Sequence, residues 1–353
     1  MATPSNGAEL SAYIKSGEVL TELDLSGKDF RGADLSGALY ESVDMRGADF
    51  SGAAMRESIF LNCRFDGAAL EGADLHQAIV GGCNLSGVNL AKTTLTAAKF
   101  DDCVAPDLNL RGADLRAAAF ARCKLASLVL CEATLDRAVF LKSDLDQLDV
   151  SGTKLLAVTL LEADLRKANV TGAHFERVTL IQTKLSGMKL AQMRFPYTQF
   201  TDAELEGCDL SGSDLRNCNF KGAKLAGASF VQAAIPNALF VEADLTGVNL
   251  SRTQLFQSIF MDAILEQANC SGADMQQCIL HRARCQGAVF SAADLTYADF
   301  AQADIRDTDF TGAKLFRANL HMVQDAGAVI PGRSVTLGTD PELARAQSWQ
   351  PKY

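Results

Sequence analysis

Every fifth residue from Leu20 to Leu320 is a buried-type side chain, and the phase never changes. The series opens Leu20, Leu25, Phe30, Leu35, Tyr40, Met45, Phe50 and closes Phe300, Ile305, Phe310, Leu315, Leu320. Only Ala105, Cys270 and Cys285 are smaller than valine or chemically ambiguous, so any inserted loop whose length is not a multiple of five is excluded. A period of five fits neither the ~3.6 of an amphipathic helix nor the ~2 of a half-buried strand. The repeat is therefore its own structural unit.

The residues around each centre divide by role. Two before it stands a small side chain, as at Ala33, Ala38, Ala48, Ala53, Ala68 and Ala73, so these two positions point inward together. Immediately before the centre Asp or Asn is frequent (Asp29, Asp34, Asp44, Asp49, Asp74, Asn84), and two after it Gly (Gly27, Gly32, Gly37, Gly47, Gly52). Short polar side chains that bond nearby backbone, and glycines that tolerate tight bends, are turn formers.

Units such as "GADLS", "GADFS", "GAALE" and "GADLR" resemble the pentapeptide repeat family, A(D/N)LXX, over roughly Leu20 to Val323. The resemblance implies an all-β fold: a right-handed quadrilateral parallel β-helix, a pentapeptide repeat solenoid with four pentapeptides per coil. Spacings of 20 support such a coil independently. Cys63, Cys83, Cys103 and Cys123 recur at that interval in the small inward position, and Phe60, Phe100, Phe120 and Phe140 recur at multiples of it at the centre. About 15 coils are expected, a rod on the order of 70 Å at roughly 4.8 Å per paired strand, with short terminal caps.

Composition narrows the function. Of 353 residues 48% are apolar, yet no continuous apolar run suits a membrane span, and "MATPSNGAEL" lacks the pattern of a secretory signal. The reading is a cytoplasmic bacterial protein, with signal-independent export left open. Nine of the ten cysteines fall on inward positions, Cys131 alone outside, which reads as buried thiols in a reducing compartment rather than disulfides or metal ligands. His76, His174, His281 and His321 fall outside the inward positions and are expected on the surface. No nucleotide, zinc-hydrolase or nucleophile-elbow motif occurs, so no enzyme activity and no catalytic, cofactor or metal site is expected. A formal charge of −10 disfavours direct nucleic-acid binding.

In chain order, residues 1–18 read as an N-terminal segment with a short capping helix over Ala8 to Ser16, its apolar face Leu10, Tyr13 and Ile14. Residues 19–323 are the repeat, weakest near Ala105, where a bend or softer coil is expected. Residues 324–353 form a C-terminal cap or docking tail. As a cap, Val329, Ile330, Val335 or Leu337 would close the last coil, with a capping-box helix starting near Thr339; as a docking tail, Trp349 and Tyr353 would be its exposed anchors.

Sorting the outside by a modulus of 20 leaves one face unusually apolar. Beside the Phe60 column stand Leu39, Ile59, Ile79, Val139, Leu239, Ile259 and Ile279 before the centre, and Leu61, Leu141, Leu161, Ile181, Val241 and Met261 after it. The second set is expected to be the more exposed, a continuous strip marking an interface with a protein partner or a second copy. With Trp349 and Tyr353 it makes up the candidate protein interface. The function expected is a non-enzymatic protein-binding scaffold or adaptor, associated with a secretion apparatus by analogy with long family members. Two alternatives follow from the resemblance. One is a DNA-mimicking protein that protects a topoisomerase, a DNA-binding enzyme being the partner; the other is a delivered effector that binds a host or target protein.

Overall fold

In the computed structural model, residues 3–349 are described, and contacts group the chain into two compact units, Met1–Thr183 and Lys184–Tyr353. One local turn recurs in both, though on the strand-bearing side of the first unit the inward N–H goes to the next coil instead, as Cys63 to Cys83 Sγ and Cys123 to Ser143 Oγ. Its first residue is the buried centre, whose carbonyl accepts the N–H of the small inward residue three later, as in Ala33 to Phe30 (3.1 Å) and Ala223 to Phe220 (3.0 Å). The residue two after the centre lies at positive φ, for example 63° at Gly32 and 64° at Gly222. That is a type II turn, whose third position favours glycine. The Asp or Asn before the centre accepts the N–H two residues on, as Ser26 donates to Asp24 Oδ1 (3.0 Å) and Ser251 to Asn249 Oδ1 (3.1 Å). Sequence positions expected to make turns therefore make them by the expected bonds.

The first unit starts with helix α1 (Gly7–Lys15), N-capped by Asn6 Oδ1 and buried through Leu10. It lies one residue ahead of the expected helix, and Gly17, just beyond it, takes a left-handed φ of 78°. The coils then stack in parallel at 20-residue register. On the face of Leu20 and Phe60 the short strands β1 (Leu20–Thr21), β2 (Leu39–Glu41), β3 (Ile59–Leu61), β4 (Ile79–Gly81), β5 (Lys99–Asp101), β6 (Ala119–Ala121) and β7 (Val139–Leu141) pair in sequence. Strand β9 (Thr159–Leu161) completes that eight-stranded sheet, and β8 (Lys154–Leu156) pairs with β10 (His174–Glu176) on another face. In the second unit the register continues as single-residue bridges such as Lys184↔Glu204, Leu239↔Ile259 and Ile279↔Asp299. The eight-stranded sheet covers one face of the first unit only; within the second unit bridges at the same 20-residue spacing run from Lys184↔Glu204 to Asp309↔Val329. In the second unit each side keeps one ladder residue between turns, too few to form a strand.

The interior is mostly apolar, with hydroxyls such as Ser58, Thr93 and Thr253 at some small inward positions, and spacing dictates its packing. In-register rings stack nearly parallel: Phe100 on Phe120 (4.6 Å, 6°) and Phe120 on Phe140 (5.1 Å, 4°) in the first unit, Phe240 on Phe260 (4.7 Å, 5°) in the second. Each fully buried Phe or Leu contributes roughly 1.5–3 kcal/mol of burial. The thiol ladder is also interior, with Cys63 N–H donating to Cys83 Sγ (3.3 Å) and the Cys103 thiol to the Val80 carbonyl (3.3 Å). All ten cysteines are free, and Cys131 alone is half-buried.

Three expectations are corrected. The coil at Ala105 is not a break: Val104 bridges both neighbours, Ala105 N–H reaches the Lys124 carbonyl (2.8 Å), and buried Leu108 fills the space beside it. At the other end Val329, Val335 and Leu337 are about half exposed and do not plug the last coil, while Ile330, next in the five-residue phase, is half-buried; Leu337 closes the coil through backbone bonds to Leu320 and Ala318 (both 2.8 Å). His321 is not on the surface. Helix α2 (Pro341–Gln347, N-capped by Asp340) covers it, with Asp340 N–H donating to Nδ1 (3.1 Å) and Gln347 Oε1 at Nε2 (3.1 Å).

Candidate protein-interaction face

On a three-residue strand whose middle residue points inward, the two flanking residues both point out. Each coil of this face therefore offers two outward columns, one before and one after the aromatic ladder. In the first unit the column after the centre reads Thr21, Glu41, Leu61, Gly81, Asp101, Ala121, Leu141, Leu161 and Ile181. Leu141 pairs directly with Leu161, and Glu162 N–H reaches the Ile181 carbonyl (3.1 Å), so these three stack as neighbours with Val139 beside them. Leu61 is not part of that stack. Gly81 and Asp101 intervene, and Arg122 pairs with both Asp101 (2.5 Å) and Asp102 (3.1 Å) to cut the strip with charge.

In the second unit Val241 and Met261 occupy adjacent coils beside the bridged column Leu239, Ile259 and Ile279. Ion pairs Lys221–Glu242 (3.9 Å) and Arg282–Asp262 (2.6 Å) rim this patch. The expected continuous strip is thus a set of separate patches. Its expected order of exposure fails as well: Leu141, Leu161, Ile181, Val241 and Met261 are all half-buried, whereas Ile79 and Leu239, before the centre, are 39% and 38% exposed. Leu61, at 36%, matches them. Close coil spacing explains this, because long side chains in one column cover one another.

Trp349 is 72% exposed just past α2, a helix with no buried residue that is held through Gln347, which Gln302 also contacts (3.0 Å). Tyr353 lies outside the described residues.

The remaining outer surface is charged, and many of its carboxylates are paired in place. An Arg two residues after an Asp folds back on it in repeated fashion, as in Arg46–Asp44 (2.5 Å), Arg166–Asp164 (2.6 Å), Arg216–Asp214 (2.8 Å) and Arg306–Asp304 (2.6 Å). The guanidinium bonds hold the Asp44 and Asp304 carboxyls below the usual range. Such exposed pairs add little stability, but they cancel charge in place. Among the described residues no group of three or more His, Cys, Asp or Glu side chains is arranged to hold a metal, and no helix is long and apolar enough to cross a membrane.

A parallel β-solenoid built on a five-residue unit, with polar turns and patches of apolar side chains outside, defines a repeat protein. The chain belongs to the pentapeptide repeat family. The family model "Pentapeptide repeat region" matches residues 53–128 and 113–190, and "Pentapeptide repeats (8 copies)" matches 198–233, 223–262, 243–282 and 283–321. Among solved structures it is similar to HetL of Nostoc sp. strain PCC 7120, described as involved in heterocyst differentiation regulation: 24% identity, 80% of this chain, 97% of that chain, TM-score 0.25. It is also similar to QnrB1, a plasmid-mediated fluoroquinolone resistance protein: 19% identity, 56% of this chain, 100% of that one, TM-score 0.37. These likenesses concern the fold alone. No curated protein matches the sequence at a significant level.

Proposed function

We propose that this chain acts without catalysis, by binding another protein through its outward apolar patches, as a scaffold or adaptor whose terminal segments, 1–18 and 324–353, flank a binding repeat over 19–323. The observation that carries this reading is the outward stack of Leu141, Leu161 and Ile181 on consecutive coils. Turns in this fold can be made from Ser, Thr, Asp and Gly alone, so an aliphatic stack outside the tube serves no turn. A partner or a second copy would bury it. Association with a secretion apparatus, or delivery as an effector, is a finer form of the same reading.

A second reading, mimicry of DNA toward a topoisomerase, draws on the net charge of −10. Against it stand the Asp-Arg pairs two residues apart, each of which sets a cation directly beside a carboxylate.

Capture of partners from native lysate, and the oligomeric state, should be compared for the wild type, Leu141→Arg and Leu161→Arg. Loss of the same partner, or of self-association, in both variants is expected. Unchanged partners and unchanged assembly would sink the reading. Protection of a type II topoisomerase in a supercoiling assay that both variants retain would favour the mimic instead.

A further inference from the structure

A different apolar stripe runs along the start of the first unit. Val19, Leu39, Ile59 and Ile79 follow one another at 20-residue spacing, with Leu39↔Ile59 and Ile59↔Ile79 paired, and Leu61 lies across the inward Phe60 from Ile59. Val19 is 49% exposed, and the stripe stops where Lys99 pairs with Ile79. Three strand spacings make it about 15 Å long.

Its rim differs from the rest of the unit. Glu22 and Glu41 border it on one side and Glu57 on the other, all three exposed. Among the described residues none of the three enters an ion pair, while nearby Asp44, Asp74 and Asp114 are held by Arg46, Arg56 and Arg116 (each 2.5 Å). Not every carboxylate of the unit is ion-paired, Asp24 and Asp34 instead accepting turn N–H groups; these three glutamates border an apolar stripe, where they complement a basic partner.

We infer that this stripe receives a basic amphipathic α-helix of a partner protein, lying along the coil axis with Lys or Arg flanking its apolar seam. The inference rests on the protein-binding reading above and specifies its partner. Spacing selects the helix. Apolar residues one turn apart, at i, i+4, i+7 and i+11, advance about 5.4 Å per turn, close to the ~4.8 Å between coils. An extended strand along the same axis repeats at about 6.6–6.8 Å on one face and falls out of step within two coils. Four apolar residues of the helix, about three turns, match the four of the stripe.

The test uses the full chain and a fluorescent designed peptide of about 14 residues with Leu at i, i+4, i+7 and i+11 and Lys beside the seam. Binding is read by anisotropy at low and moderate salt. Saturable binding is expected, weakened at least about tenfold by Ile79→Lys and by the double variant Glu41→Lys with Glu57→Lys, and weakened by salt. The same peptide with Glu for Lys should not bind, and Glu242→Lys, on the second unit, should change affinity less than about twofold. Absence of saturable binding by the Lys peptide, or equal binding by all variants, overturns the inference. Melting curves check the fold, and if charge reversal lowers them, the milder Glu41→Gln with Glu57→Gln must still weaken binding. Leu141→Arg separates the two readings: partner capture lost in that variant alongside a peptide that never binds sinks the helix site alone. Peptide binding that survives Leu141→Arg with no change in captured partners removes the Leu141 stack and keeps this site.

Discussion

Tyr40 stacks on Phe60 at 4.7 Å and 9°, and its hydroxyl, sealed inside the first unit, has no hydrogen-bond partner. Burial pushes the phenol far above its usual pKa, so it stays neutral. The ring contributes a full aromatic contact, while the oxygen carries only a desolvation cost. Tyr40→Phe should therefore stabilise the first unit by about 1 kcal/mol, seen as a higher urea midpoint with unchanged slope. An unchanged or lower midpoint would show that the hydroxyl is satisfied.

The thiols should sort sharply by reactivity. Burial pushes Cys208 up to about 11 and Cys270 up to about 12, from a usual 9.0. A thiol-disulfide reagent at pH 8 should label the native protein at Cys131 at most, and all ten cysteines only after unfolding. Because the folded values are raised, the unfolded chain loses these protons first as pH rises. The stability they contribute is complete below about pH 9 and declines through pH 11 to 12. Denaturant midpoints of the second unit should fall across that window, and a flat profile would argue against buried, protonated thiols.

Gly7 opens α1 against the first coils. A Cβ there would stand 2.8 Å from Ala33 Cβ and 3.8 Å from its Cα, too close for the helix to stay seated. Gly7→Ala should lift α1 away, and faster hydrogen exchange in the backbone around Leu25 and Phe30 is the expected signature. Exchange equal to wild type there would mean that α1 does not protect the first coil.

The turn carboxylates predict an acid limit. Asp209 accepts the Ser211 N–H (3.1 Å), and the Ser211 hydrogen bonds hold its pKa below the usual 3.8. A depressed folded value gives stability that is present above the unfolded pKa and lost as pH falls through the folded one. Asp209→Ala should cost about 1 kcal/mol near neutrality and flatten the acid limb below about pH 4, whereas Asp209→Asn should retain most of the turn bond.

His321 should behave as the pin of α2. His321→Ala removes the acceptor of the Asp340 N–H and the partner of Gln347 at once. Exchange across 341–347 should rise by at least about tenfold while the coils before Leu320 stay protected. If α2 keeps its protection, other contacts hold it.

Most of the fold was legible because its determinants repeat within five residues. The centre, the small residue before it, the Asp or Asn and the Gly each act through bonds that close within three positions, so Ser26 to Asp24 and Ala33 to Phe30 could be anticipated from one unit. The 20-residue stacking was legible because Cys and Phe recur at that interval. The candidate face was legible only as a set of columns. Its exposure was not, since Leu141 is shaded by Leu161 one coil away, and neither residue alone carries that information.

What the sequence determined by itself is the inward register, the turn chemistry and the interior place of nine cysteines, all consequences of one short period. Only the tertiary structure decided that Arg122 severs the apolar strip by pairing with Asp101, that α2 buries His321, and that Glu22, Glu41 and Glu57 are left without cations beside the Val19 to Ile79 stripe. Those outcomes depend on side chains about 20 residues apart meeting across coils, where charge and length vary freely without disturbing the period. The repeat specifies the tube, and the contacts between coils specify which of its outer residues remain for a partner.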